Sequence, residues 1–114
     1  MKRELTIVVP AYNEAKAIGQ TMSALKDMLA KAGVDGEIVV VDDGSKDGTG
    51  DAAEAAGVTV IRLEENRGYG FALKTGIANS DSKFVAIIDA DGTYPAEKIP
   101  DMLKLCENAD MVVG

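Results

Sequence analysis

The chain has 114 residues, 46% of them hydrophobic and 27% charged, which fits one globular domain and leaves no room for a second core. Its net charge of −7 argues against a nucleic-acid partner, because proteins that grip a phosphate backbone gather Lys and Arg. The absence of His excludes His-based metal sites and His general bases, and the lone Cys106 excludes an internal disulfide.

In chain order, Met1-Lys2-Arg3-Glu4 leads straight into Leu5-Thr6-Ile7-Val8-Val9, a strand over about 5–9 and not the apolar core of a signal peptide. No stretch approaches the roughly 18 apolar residues of a membrane span, so a cytoplasmic location is expected. The loop Pro10-Ala11-Tyr12-Asn13-Glu14 follows. Ile18, Met22, Leu25, Leu29 and Ala32 then step by four and three, one apolar helical stripe, with Gly33 as its stop. A second strand over about 37–41 ends in Asp42-Asp43 and the turn Gly44-Ser45-Lys46-Asp47-Gly48. A short Ala-rich helix over about 49–56 stops at Gly57, and a third strand covers about 58–63. The next helix, about 69–79, carries Ala72, Leu73, Gly76 and Ile77 on one side. A fourth strand, about 83–88, runs directly into Asp89-Ala90-Asp91, and a fourth helix begins at Pro95, the favoured first helical position. Cys106 keeps step with Ile99, Met102 and Leu103 and reads as core. A fifth strand covers about 110–113.

Apolar strands alternating with helices predict an α/β fold, a Rossmann-like doubly wound, mostly parallel sheet with helices on both faces. In such sheets ligands bind outside the carboxyl ends of the strands, and all three acidic loops lie there. Asp89 and Asp91 share one face of an extended segment, and paired carboxylates suit Mg²⁺ or Mn²⁺ already carrying phosphate oxygens. A polar turn is the plainer reading of a lone Asp-x-Asp. Three acidic strand ends together favour a metal-diphosphate site. Asp43, Ser45 and Asp47 read as residues that turn and cap their own loop.

The ordered set Val8-Val9-Pro10-Ala11-Tyr12-Asn13-Glu14, Val41-Asp42-Asp43-Gly44-Ser45, Asn66-Arg67-Gly68-Tyr69-Gly70 and Asp89-Ala90-Asp91-Gly92 resembles the family 2 nucleotide-sugar glycosyltransferases of the GT-A fold. Asp91-Gly92-Thr93-Tyr94-Pro95 and Met111-Val112-Val113-Gly114 look most like the dolichyl- or polyprenyl-phosphate sugar synthases within it. The resemblance implies that residues 1–114 are the nucleotide-sugar-binding half, the N-terminal half of a GT-A fold, with the acceptor-binding half absent. It assigns Pro10, Tyr12, Glu14 and Asp42 to the base and ribose of a GDP- or UDP-sugar. Ala90 and Asp91 go to the donor as well, and Asp89 and Asp91 to Mg²⁺ or Mn²⁺ bridging the phosphates. Arg67 either shapes the donor pocket or is solvated.

The implied reaction is an inverting displacement at the sugar's anomeric carbon, with a polyprenyl phosphate or another acceptor. The catalytic base is expected outside this chain, so no catalytic residue is assigned. The isolated chain is expected to bind nucleotide weakly and to transfer little sugar, the parent protein to sit at the cytoplasmic membrane face, and an exposed sheet edge to favour a homo-oligomer. Three rivals belong to other classes. A phospho-accepting signalling domain needs its acidic pair after the first strand, where Pro10-Ala11-Tyr12-Asn13 stands instead. A non-catalytic nucleotide-binding or folding module stays open, whereas a dinucleotide-binding domain lacks its Gly-x-Gly-x-x-Gly.

Overall fold

The computed structural model describes residues 4–88, 90 and 111–113. Each β-branched run forms a strand: β1 (Leu5–Ala11), β2 (Gly36–Asp42), β3 (Thr59–Arg62), β4 (Phe84–Ile87) and β5 (Met111–Val113). Between them lie α1 (Ala15–Ala32), α2 (Thr49–Ala55) and α3 (Tyr69–Ala78). The strands pair in the order β3-β2-β1-β4-β5, all parallel. The chain winds outward from β1 through β2 to β3 and then returns to the other side of β1, so the topological switch point lies between β1 and β4. The doubly wound α/β expectation is met. The helix expected from Pro95, and Cys106 with it, lie outside the described residues.

One face of the sheet carries α1 and α2. Ile18, Met22, Leu25 and Leu29 of α1 and Ala53 of α2 pack on Leu5, Ile7, Val9, Ile38 and Val40. Gly33 ends α1 in the left-handed region at φ 67, where a side chain would be strained, and Val34 N–H closes the last turn on the Leu29 carbonyl. On the other face α3 sets Ala72 against Val8, Val39, Val41, Val85 and Ile87. Gly76 lets that helix lie almost directly on the sheet, since a Cβ there would stand 2.4 Å from Val8 Cγ1.

β1 runs two residues further than its apolar pattern, with Pro10 opposite Val41 and Ala11 opposite Asp42. Its pairing with β4 stops earlier, at Val8 opposite Ile87. Proline explains the asymmetry. The Ala11 carbonyl accepts Asp43 N–H on the β2 side, and the Val8 carbonyl accepts Ile88 N–H on the β4 side. Successive residues alternate, so Pro10 faces β4 with no N–H to offer. β1 and β4 part there, which opens a crevice at the switch point.

Candidate functional site

Two loops at the carboxyl end of the sheet are laced together. Asn13, in the left-handed region at φ 54, donates its N–H to Ser45 Oγ (2.8 Å), and its Oδ1 accepts Lys46 N–H (3.0 Å). Glu14 N–H goes to Thr49 Oγ1 (2.9 Å) and Ala15 N–H to Asp47 Oδ2 (3.1 Å). Two of the orphan N–H groups at the start of α1, those of Glu14 and Ala15, are therefore met by the side chains of Thr49 and Asp47 in the segment after β2. The Thr49 hydroxyl holds the Asp47 carboxyl below its ordinary value, against some desolvation and with help from the N–H groups of Ala15 and Thr49. The turn-and-cap reading of Ser45 and Asp47 matches these bonds.

Asp42 and Asp43 are neighbours that point to opposite faces of the sheet, because strand residues alternate. Asp42, 6% exposed, follows Val40 toward the α1/α2 side, where Oδ1 accepts Ser45 N–H at 3.0 Å. A Cβ on Gly50 would come within 2.8 Å of its Oδ2, so α2 begins close over this carboxylate. Asp43, 4% exposed, turns toward α3. Its two oxygens take the N–H groups of Arg67 (2.7 Å) and Gly68 (2.9 Å), and its carbonyl accepts Asn66 Nδ2 at 3.3 Å. Gly44 keeps the two loops in contact, because a Cβ there would stand 2.5 Å from the Asn66 nitrogen.

On the α3 side these loops enclose a cleft of about 290 Å³ lined by Pro10, Ala11, Tyr12, Asp43, Asn66, Gly68, Tyr69 and Ala72. That is near the lower end for small-molecule sites, roughly 300–1,000 Å³. Tyr12 and Tyr69 are about half exposed at its walls, and such rings offer stacking faces for a planar ligand. Of the residues the resemblance assigns to the nucleoside, Pro10 and Tyr12 line the cleft, and Glu14 and Asp42 do not. Asp43, Asn66, Gly68 and Tyr69 take part instead. Arg67 turns away, paired with Glu65 (3.2 Å) and stacked over the Phe71 ring. A larger hollow of about 350 Å³ lies at the amino ends of β2 and β3. There the Lys26 ammonium donates to the Ala56 carbonyl and the Glu37 carboxylate accepts from the Thr59 hydroxyl.

The switch point lies beside this cleft. Ile88 is tied to β1 by its N–H, and Ala90 is buried at 3% exposed with its carbonyl accepting the Thr21 hydroxyl. Asp89 and Asp91 lie outside the described residues. Among the described residues no three His, Cys, Asp or Glu side chains gather to hold a metal. Nor is any helix of the described residues long and apolar enough to cross a membrane. A divalent cation nonetheless fits this frame. A Rossmann-type site sets its phosphates at the N-terminus of the helix after β1, and here the first two of those N–H groups, those of Glu14 and Ala15, are occupied by Thr49 and Asp47. Phosphate charge has to be met elsewhere, and carboxylates either side of Ala90 are hard oxygen donors suited to Mg²⁺ or Mn²⁺.

Comparisons with known proteins agree with this geometry. Residues 6–114 match the family described as glycosyl transferase family 2. An uncharacterized protein of Methanocaldococcus jannaschii is 43% identical over 118 residues, which take in 99% of this chain and 46% of that protein. An undecaprenyl-phosphate mannosyltransferase of Micrococcus luteus is 34% identical over 98% of this chain and 47% of its own. Among solved structures, a mannosyltransferase of Pyrobaculum calidifontis in complex with GDP-Man and Mn²⁺ superposes with a TM-score of 0.83 at 28% identity, over 96% of this chain and 34% of that one. The chain thus spans about half the length of these curated relatives.

Proposed function

This chain belongs to glycosyl transferase family 2, and we propose that it forms the donor-binding part of a transferase that takes a nucleoside diphosphate sugar together with a divalent cation. The observation that carries the reading is the side-chain capping of α1: the first two N–H groups of what is the natural phosphate cradle of a doubly wound sheet, those of Glu14 and Ala15, are already taken by Thr49 and Asp47. In this reading Pro10 and Tyr12 receive the base, with Tyr69 as a second aromatic wall. Asp43 holds the third side of the cleft by gripping the Arg67–Gly68 backbone, while Glu14 and Asp42 brace the loops behind it.

Asp89 and Asp91 would hold Mg²⁺ or Mn²⁺, whose charge stabilises the negative charge that builds on a departing diphosphate. Ala90, packed in the core beneath α1, would anchor the backbone beside the donor and not line its pocket. An acceptor of the polyprenyl-phosphate class fits the relatives' chemistry. Such an anion needs little help from a general base. The parent protein would then work at the cytoplasmic membrane face.

Calorimetric titration of the chain with GDP and with UDP, each in Mn²⁺ and in EDTA, tests this. At least one nucleotide is expected to bind more tightly with Mn²⁺, and Asp89→Asn or Asp91→Asn to remove that gain. Equal affinity in the two buffers for both nucleotides would refute the donor site.

A further inference from the structure

Thr21 lies in the buried stripe of α1, beside Ile18, Met22 and Leu25. A threonine inside a helix commonly returns its hydroxyl to the carbonyl one turn back, as Thr75 does to Phe71 at 2.9 Å. Thr21 instead donates across the fold to the carbonyl of Ala90, a buried bond of 3.0 Å between positions 69 residues apart. Ala90 belongs to the core packed under α1, and Ile88 is bonded to Val8 at 3.1 Å. The backbone is thus pinned on both sides of position 89, once to β1 and once to α1. Without Thr21 the second pin is lost, and a buried carbonyl is left without its donor.

The oxygen that Thr21 holds belongs to the planar peptide joining Ala90 to residue 91. Fixing that plane fixes the rotation about the Ala90 Cα–C bond, which relates the two residues flanking Ala90. We infer that Thr21 is a positioning residue for the cation: its hydroxyl holds the Ala90 carbonyl, and so the backbone between the two residues proposed as the cation's ligands, in place. This rests on the proposed role of that pair as the cation's ligands. Thr21 is buried and acts through the backbone.

The test compares the full chain with Thr21→Val, which keeps the shape and loses the donor, and with Thr21→Ser, which keeps the donor. Each is titrated with GDP and UDP in Mn²⁺ and in EDTA, with thermal unfolding followed in parallel. Thr21→Val is expected to shrink the Mn²⁺-dependent gain in affinity about tenfold, the scale of groups that orient metal ligands, while affinity in EDTA stays within about twofold and Thr21→Ser stays within about threefold of wild type. Should Thr21→Val not fold, Thr21→Ala against Thr21→Ser gives the same comparison. A Thr21→Val gain equal to wild type, an equal loss with and without Mn²⁺, or Thr21→Ser as impaired as Thr21→Val would overturn the inference while leaving the donor site standing. If wild type shows no Mn²⁺-dependent gain, or Asp91→Asn retains it, the donor-site reading fails and the role of Thr21 fails with it.

Discussion

The two faces of the sheet are covered differently, and the cleft opens on the thinner one. On the α1/α2 face, large side chains of an eighteen-residue helix interleave with β1, β2 and β4. On the α3 face, a ten-residue helix lies against valines through Ala72 and Gly76, leaving Tyr69 and Phe71 about half exposed. The thick side supplies most of the buried apolar surface and hence most of the hydrophobic stabilisation. The thin side leaves the aromatic rings of Tyr12, Tyr69 and Phe71 accessible near the strand ends. Stability and ligand access are thus separated across one sheet, so substitutions on the two sides should fail in different ways.

The largest effect is expected on the thick side. Leu25, 1% exposed, fills the space between α1 and the sheet, and Leu25→Ala should cost about 3 kcal/mol through lost burial and the cavity left behind. Urea unfolding gives the loss. Nucleotide affinity measured on folded chain should stay unchanged, and a parallel drop in affinity would show that the two sides are not separate. Asp43→Ala is the counterpart on the thin side. It strips the acceptors from the Arg67 and Gly68 N–H groups, with an expected cost of about 2 kcal/mol for two part-buried donors left unpaired. Here affinity should fall along with stability, because the cleft loses its wall.

Much of this contrast was legible in the sequence, and the part that was not has a definite cause. The strands, the Gly33 stop and the helices at 49 and 69 follow from β-branched runs and helical spacing, because those patterns repeat over enough residues to be unambiguous. Which of Asp42 and Asp43 faces the cleft was hidden. Ile38-Val39-Val40-Val41 is buried on both faces, so the run shows no alternation from which to read the parity of the next residue. Asp42 was assigned to the nucleoside from the resemblance, and the structure puts Asp43 on the lining. Tyr69 belongs to the Asn66–Gly70 motif, which gives it no role of its own. Its place in the same cleft as Tyr12 depends on how α3 packs against the sheet, which no local pattern encodes. Thr21 gave no signal either, since a Thr in an apolar stripe looks like filler until its partner is known.

Gly76 probes how thin the thin side must be. Gly76→Ala would gain roughly 0.5–1 kcal/mol of helix preference but set a methyl 2.4 Å from Val8 Cγ1 and 3.2 Å from Val41 Cγ2. Both valines are fully buried and cannot move aside, and overpacking of this kind costs about 1–3 kcal/mol. A net loss of about 1 kcal/mol is expected. A gain in stability instead would mean that α3 lifts freely, and the thin face would then be looser than its packing suggests.

The smallest effect is also the most specific, because it depends on pH. Asp47 laces the loop after β2 to the start of α1, and the Thr49 hydroxyl, followed by the Ala15 and Thr49 N–H groups, keeps its carboxyl below the ordinary 3.8. The folded chain therefore prefers the ionised form. The stabilisation is fully present above the ordinary carboxylate value and is lost as the pH falls through the depressed one. Because this carboxyl sits at the surface, solvent screens it and the contribution is modest. Thermal unfolding of wild type and Asp47→Asn, compared from pH 7 downward, should show wild type the more stable at neutral pH and the difference shrinking below about 3.8. A constant difference at every pH would mean that Asp47 acts through shape alone. A difference that closes on acidification would show that its charge is what binds the loop to α1, on the thick side of the sheet, behind the cleft.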